Sequence, residues 1–285
     1  MNETERIDYF AGHDGRRLHF RERICQGAQE FVILLHGKGE HSGRYEEMMN
    51  FFETAKVSSA AFDFRGHGLS EGDEVYVDHF DDYIQDASAF ITFITKRHHW
   101  NSKIIVLGHS LGGMVAILWA LQNENLLKAL LLSSPFVGIR LPQFLVRFNR
   151  GVNYFFPKFI YHNPVYPPHL THDKIEVDKY KKDPLIKKKI SARLVCEMLR
   201  VSDELKKISE WDLDYPVYIL MAGLEKVVDA EATRDFYRKL KCPDKELREF
   251  KNFYHEIFHE KERSQVYRIL LEYLERIKGD RNSLA

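Results

Sequence analysis

Cysteine is scarce in this 285-residue chain: Cys25, Cys196 and Cys242 are three in all and lie far apart. An odd, scattered set of thiols excludes a disulfide framework and predicts a reducing compartment. Excess charge of either sign is also lacking, because Lys and Arg together number 42 and so do Asp and Glu. A balanced chain of this kind does not recruit a phosphate backbone. No RNA- or DNA-binding motif occurs either, so no nucleic-acid partner is expected. No apolar run approaches the length of a spanning helix, about 18 residues. Met1 to Phe20 is polar and charged, without the apolar stretch of a secretory signal. The expectation is a soluble, cytoplasmic protein.

What is present is ordinary globular material, 44% apolar and 29% charged, long enough for one large α/β domain with an insertion or for two small domains. The N-terminal region reads as a hairpin, Arg6 to Ala11 and Arg17 to Ile24 around a turn at Asp14-Gly15. Apolar runs then alternate with helical patterns. The runs are Phe31–Leu35, Ser59–Phe64, Ile104–Leu107, Leu127–Leu132, Val217–Met221 and Leu247–Phe250. The helical patterns cover 44–55, 79–97, 111–123, 230–240 and 262–278. Such alternation predicts a mostly parallel sheet with helices on both faces.

The alternation breaks once, over residues 136–213, a stretch too long for a connecting loop. Phe136 to His172 contains no Asp or Glu but holds Arg140, Arg147, Arg150 and Lys158, and it is dense in aromatics. Asp173 to Leu213 is charged and helical in pattern. Placed after the sixth strand, this stretch reads as a helical cap over the mouth of a site. The division expected is therefore a core of 1–135 and 214–285 with a cap of 136–213. Two readings of the aromatics stay open. They pack the cap onto the body, or Phe144, Phe148, Phe155, Phe156 and Phe159 bind an acyl chain and let the cap touch lipid aggregates.

The chemistry is announced by Gly108-His109-Ser110-Leu111-Gly112, set between the run Lys103–Leu107 and a helix-forming segment. Strand, sharp turn with serine at its apex, then helix is the context of a G-x-S-x-G nucleophile elbow. A serine hydroxyl needs a base to take its proton and an acid to orient that base. In sheets of this type those partners follow later strands, acid before histidine. His255, after Leu247–Phe250, is the base, with His259 as the fallback. Glu225, directly after Val217–Met221, is the acid. Asp229 is the alternative, although an N-cap role for the following helix also explains it. The oxyanion formed during acyl transfer needs donors. The backbone N–H groups of Leu111 and Lys38 supply them, the latter from the glycine-rich loop His36–Ser42. The pattern H-E-x-x-H at His255–His259 also matches a zinc-protease motif. Its first histidine leaves a strand loop and no third ligand follows, so no metal and no cofactor are expected.

Taken together, these segments resemble the monoacylglycerol lipase/lysophospholipase group of α/β-hydrolases, serine hydrolases also grouped with the S33 serine aminopeptidases. The resemblance is carried by His36-Gly37-Lys38-Gly39-Glu40-His41-Ser42-Gly43-Arg44-Tyr45, Asp63-Phe64-Arg65-Gly66-His67-Gly68-Leu69-Ser70-Glu71-Gly72 and Gly108–Gly113. Ser133-Ser134-Pro135 and Tyr180-Lys181-Lys182-Asp183-Pro184-Leu185 also look like the family. It implies an α/β-hydrolase fold, a cap over an acyl tunnel and hydrolysis of a single fatty-acyl ester. The family acid, normally aspartate, maps onto Glu225, and Lys38 stands where the family usually has a small residue. The function expected is a serine carboxylic ester hydrolase acting on monoacylglycerols or lysophospholipids. Its rivals are a short-chain carboxylesterase or aminopeptidase on the same fold, and an inactive α/β-hydrolase that only binds. A lipid-like ester is the expected partner, with peripheral membrane contact through the cap.

Overall fold

Five consecutive apolar residues cannot alternate between core and water, so a strand built from them must be buried on both faces. Phe31–Leu35 is such a run, and in the computed structural model it lies inside an eight-stranded sheet, buried throughout. The structure describes residues 5–139, 141–162 and 165–279; Arg140 lies outside them. The sheet strands are β1 (Glu5–Ala11), β2 (Arg17–Arg23), β3 (Phe31–Leu35), β4 (Ser58–Phe62), β5 (Ile104–His109), β6 (Leu127–Ser133), β7 (Val217–Ala222) and β8 (Lys245–Phe250). Their spatial order is β1-β2-β4-β3-β5-β6-β7-β8. From β4 to β8 every neighbour is parallel, with Ile33 opposite Ala60 and Val106, and Leu130 opposite Val106 and Val217. The hairpin β1–β2 extends the sheet antiparallel against β4. This is the α/β-hydrolase architecture.

The helices among the described residues are α1 (Glu46–Thr54), α2 (Asp81–Arg97), α3 (Leu111–Gln122), α4 (Gln143–Phe155), α5 (Lys174–Lys182), α6 (Ala192–Lys207), α7 (Ala230–Lys239) and α8 (Ser264–Gly279). Because side chains alternate along a strand, Val32 and Leu34 join one core, while Ile33 and Leu35 join the other. The first core is closed by α1 (Met48, Met49, Phe52) and α8 (Val266, Leu270, Leu274). The second is closed by α2 (Tyr83, Phe90), α3 (Met114, Trp119) and α7 (Phe236). Each such side chain contributes about 1.5–3 kcal/mol when fully buried. The two cores hold the sheet as a rigid base.

Strand β4 stops at Phe62, two residues short of the apolar run that predicts it. Asp63 leaves the sheet because its carboxylate accepts the Ser42 N–H at 2.6 Å and the Leu69 N–H at 2.9 Å. Residues 136–213, between β6 and β7, contain α4, α5, α6 and an antiparallel ribbon, Ile160–His162 with Lys189–Ser191. Leu170, Tyr180 and Ile186 form a small separate core there. The aromatic-rich first half is itself helical: α4 buries Asn149 against α6, where the amide donates to Ala192 O at 3.2 Å. Most of the remaining α4 surface faces solvent.

Candidate active site

A helix that starts immediately after a strand forces a reversal at the junction, and here the junction is Ser110. Its φ of +52° lies in the left-handed region, rare for a side chain with a Cβ. The strain is held by the surroundings. Ser110 N–H donates to Ser133 O at 3.0 Å, and its carbonyl accepts from Phe136 N–H at 2.9 Å. Helix α3 crosses β3 so closely that a Cβ on Gly112 would lie 2.1 Å from Leu35 O. No side chain fits there. At the same turn the Leu111 N–H opens α3, where the first amides of a helix lack intrahelical acceptors. Among the described residues neither the Leu111 N–H nor the Lys38 N–H donates a hydrogen bond.

His255 stands in the loop after β8, and Glu225 in the loop after β7. Parallel pairing of these two strands, Ala222 opposite Phe250, brings both loops to the same sheet end as Ser110. His255 Nδ1 lies 2.8 Å from Glu225 Oε2, and both side chains are almost fully buried. The other carboxylate oxygen accepts the N–H groups of Val227 (2.7 Å) and Val228 (3.2 Å). Burial alone would lower the His255 pKa, but the adjacent Glu225 carboxylate outweighs it and the net shift is upward. For Glu225, burial raises the pKa and His255 lowers it, with a net downward shift. The pair therefore stabilises the imidazolium that forms when His255 takes a proton. Asp229 stands four residues further along the same loop. It begins α7, accepting the Glu231 N–H at 3.1 Å.

Ser110, His255, Gly37 and Lys38 line one cavity of about 420 Å³. Its walls are mainly apolar: Phe136, Leu145, Phe148, Ile190, Val195, Met198 and Leu199 among others. Of the five aromatics expected to bind an acyl chain, only Phe148 lines it. Phe144, Phe155, Phe156 and Phe159 are at least half exposed and do not line it; on α4 the stripe that meets the cavity is Leu145, Phe148 and Asn149. Much of the wall comes instead from α6. Its apolar stripe Val195, Met198 and Leu199 stands at helical spacing inside the half of the insertion read as charged, where the charges concealed it.

Sequence reasoning also passed over the groups behind the histidine. Arg44 Nε lies 3.1 Å from Glu40 Oε1, and its Nη2 pairs with the Glu256 carboxylate and lies 3.3 Å from His259 Nδ1. Glu40 Oε2 also accepts from Gly37 N–H (2.8 Å) and Tyr45 OH (2.9 Å). Burial would raise the Glu40 pKa, but Arg44 holds it well below the usual carboxylate range. This buried cross-link fixes the loop carrying Lys38 to the loop carrying His255. In the sequence its residues stood out only as parts of the H-G-x-G-E-H-S-G-R-Y and H-E-x-x-H motifs. His259 thus faces Arg44, with its Nε2 3.1 Å from Arg44 O, and Ile257–His259 is a single 3₁₀ turn. The H-E-x-x-H spacing therefore does not put two rings on one helix face. His109 packs against His255 with centroids 4.9 Å apart, and burial pushes its pKa down to about 4, so it stays neutral beside the base.

A sequence profile described as serine aminopeptidase, S33, matches residues 26–262. The chain belongs to that family. It is 27% identical over 240 residues to the Bacillus subtilis protein named phospholipase YtpA, covering 83% of this chain and 92% of that one. With human monoglyceride lipase it shares 28% identity over 264 residues, 89% of this chain and 84% of the relative. The solved structure of a monoacylglycerol lipase from Paleococcus ferrophilus superposes with a TM-score of 0.80 at 28% identity, over 91% of this chain and 99% of that one. These findings make the chain a serine hydrolase of the monoacylglycerol lipase/lysophospholipase group of α/β-hydrolases.

Proposed function

We propose that this chain hydrolyses single fatty-acyl esters, monoacylglycerols or lysophospholipids, through a Ser110–His255–Glu225 triad and an acyl-enzyme. The reading is carried by one observation: a strained serine and a carboxylate-held imidazole line the same apolar cavity. With Nδ1–H donated to Glu225, His255 Nε2 is the free lone pair. Ser110 Oγ attacks the ester carbonyl while Nε2 takes its proton, and the carbonyl electrons move onto oxygen. The N–H groups of Lys38 and Leu111 hold that oxyanion. Collapse restores the carbonyl and breaks the bond to the alcohol, which leaves with the proton from His255. Water then attacks the acyl-enzyme, His255 takes its proton and returns it to Ser110, and the fatty acid departs. The apolar wall from α4 and α6 suits an acyl chain.

In this reading residues 136–213 are the cap. Its outer face, with Phe144, Phe155, Phe156 and Phe159 beside Arg147 and Arg150, makes peripheral contact with lipid aggregates. No described helix is long and apolar enough to cross a membrane. The test is a fluorophosphonate probe with a panel of monoacylglycerols, lysophosphatidylcholine and short p-nitrophenyl esters. The chain is expected to be labelled, to favour long acyl groups, and to lose both labelling and turnover in Ser110→Ala. Turnover retained by that variant would overturn the triad; absence of labelling in the parent chain would leave only a binding role.

A further inference from the structure

A cation inside an apolar cavity is costly unless a counter-charge or strong acceptors meet it. Lys38 is a partly exposed cation at such a cavity. It lines the cavity beside Ser110, and among the described residues its ammonium makes one long hydrogen bond, 3.4 Å to Lys189 O, and no ion pair. The nearest carboxylate on its own loop, Glu40, is already met by Arg44, Tyr45 and the Gly37 N–H. Burial pulls the Lys38 pKa down to about 7, and the attraction of Glu40 does not offset it. His162 lies in register opposite Lys189 in the ribbon and lines the same cavity. Two groups able to carry positive charge therefore meet the cavity at one ribbon, whose first strand lies in a segment (136–172) without a single acidic residue and whose Lys189 ammonium lies 3.9 Å from Glu74.

We propose that Lys38 and His162 form an anion subsite that takes the phosphate of a single-chain glycerophospholipid. The inference rests on the ester-hydrolase reading above and selects between its two substrate classes. The main-chain N–H of Lys38 meets the ester oxygen while its flexible four-carbon stem carries the ammonium to the ribbon. One residue thus spans the distance from the reacting carbonyl to the head group. Lysine binds phosphate as a point charge.

The binding arm uses the full chain carrying Ser110→Ala, titrated calorimetrically with dodecyl phosphate, dodecanol and inorganic phosphate. Dodecyl phosphate is expected to bind roughly tenfold more tightly than dodecanol, and Lys38→Met or His162→Phe in that background to erase most of the difference. The kinetic arm compares 1-dodecanoyl-glycerol-3-phosphate with 1-dodecanoylglycerol in the otherwise unaltered chain. The ratio of their kcat/KM values should fall by roughly tenfold in Lys38→Met, whatever happens to each value alone. Circular dichroism confirms that each variant is folded. Equal binding of dodecyl phosphate and dodecanol, or an unchanged ratio, overturns the subsite. Inorganic phosphate bound as tightly as dodecyl phosphate overturns the lipid assignment. A chain that binds dodecyl phosphate through Lys38 yet cleaves no ester keeps the subsite and sinks the hydrolase reading instead.

Discussion

The floor of the cavity and its roof are built on opposite principles. The floor is overdetermined: Ser110 is wedged between β5 and α3, Glu225 is held by three donors, and Arg44 ties the two flanking loops together. The roof has a small core of Leu170, Tyr180 and Ile186, and it turns a row of aromatic rings outward. Reaction chemistry demands positions fixed to fractions of an ångström, whereas admitting a greasy substrate demands exposed apolar surface. In the proposed reading the two regions divide these requirements between them.

The sharpest way to break that division is at the acid. Glu225→Gln keeps the shape but removes the charge that raises the His255 pKa, and kcat/KM is expected to fall about 10³–10⁴-fold. In the parent chain the base must be neutral, so activity declines as pH falls through a value above the ordinary histidine figure of 6.5. In the variant that acid limb moves to lower pH, which a pH–rate profile reads directly. A limb that does not move would deny Glu225 its role. The next largest effect is on folding. Gly112→Ala drives a Cβ into Leu35 O, and a loss of about 3 kcal/mol or more is expected in a denaturant titration. Asp229→Ala removes the N-cap of α7, costing about 1 kcal/mol while ester turnover persists. Collapse of turnover there would transfer the acid role from Glu225. The smallest effect belongs to the roof. Phe155→Ser changes stability by less than about 0.5 kcal/mol, since the ring is already in solvent, yet weakens flotation with lipid vesicles. Unchanged vesicle binding would separate the aromatic row from lipid contact.

The floor was far more legible in the sequence than the roof, for a physical reason. Phe31–Leu35 coincides with its strand because burial on both faces leaves no room for a polar residue. Glu225 and His255 could be paired from sequence because parallel strands deliver their following loops to one sheet end. Position directly after the strand favoured Glu225 over Asp229, and the imidazole lies against Glu225. Helix α4 went unread because many of its apolar side chains face water, so its rings signalled composition without a buried stripe. The α6 wall was hidden by the charged residues sharing its helix. The Arg44 cross-link joins residues 212 positions apart, and nothing local marks such a contact.

Among the contacts that join the two regions, two lie at the loop of Lys38. Lys187 N–H donates to Gly39 O at 2.8 Å, and His41 Nε2 lies 2.9 Å from Asp183 Oδ2. The stretch 183–187 is thus bolted to the very loop that carries the Lys38 amide. A displacement of that edge of the canopy pulls on the oxyanion donor as well. Opening of the canopy on this side would therefore disturb the proposed oxyanion donor together with the cavity wall.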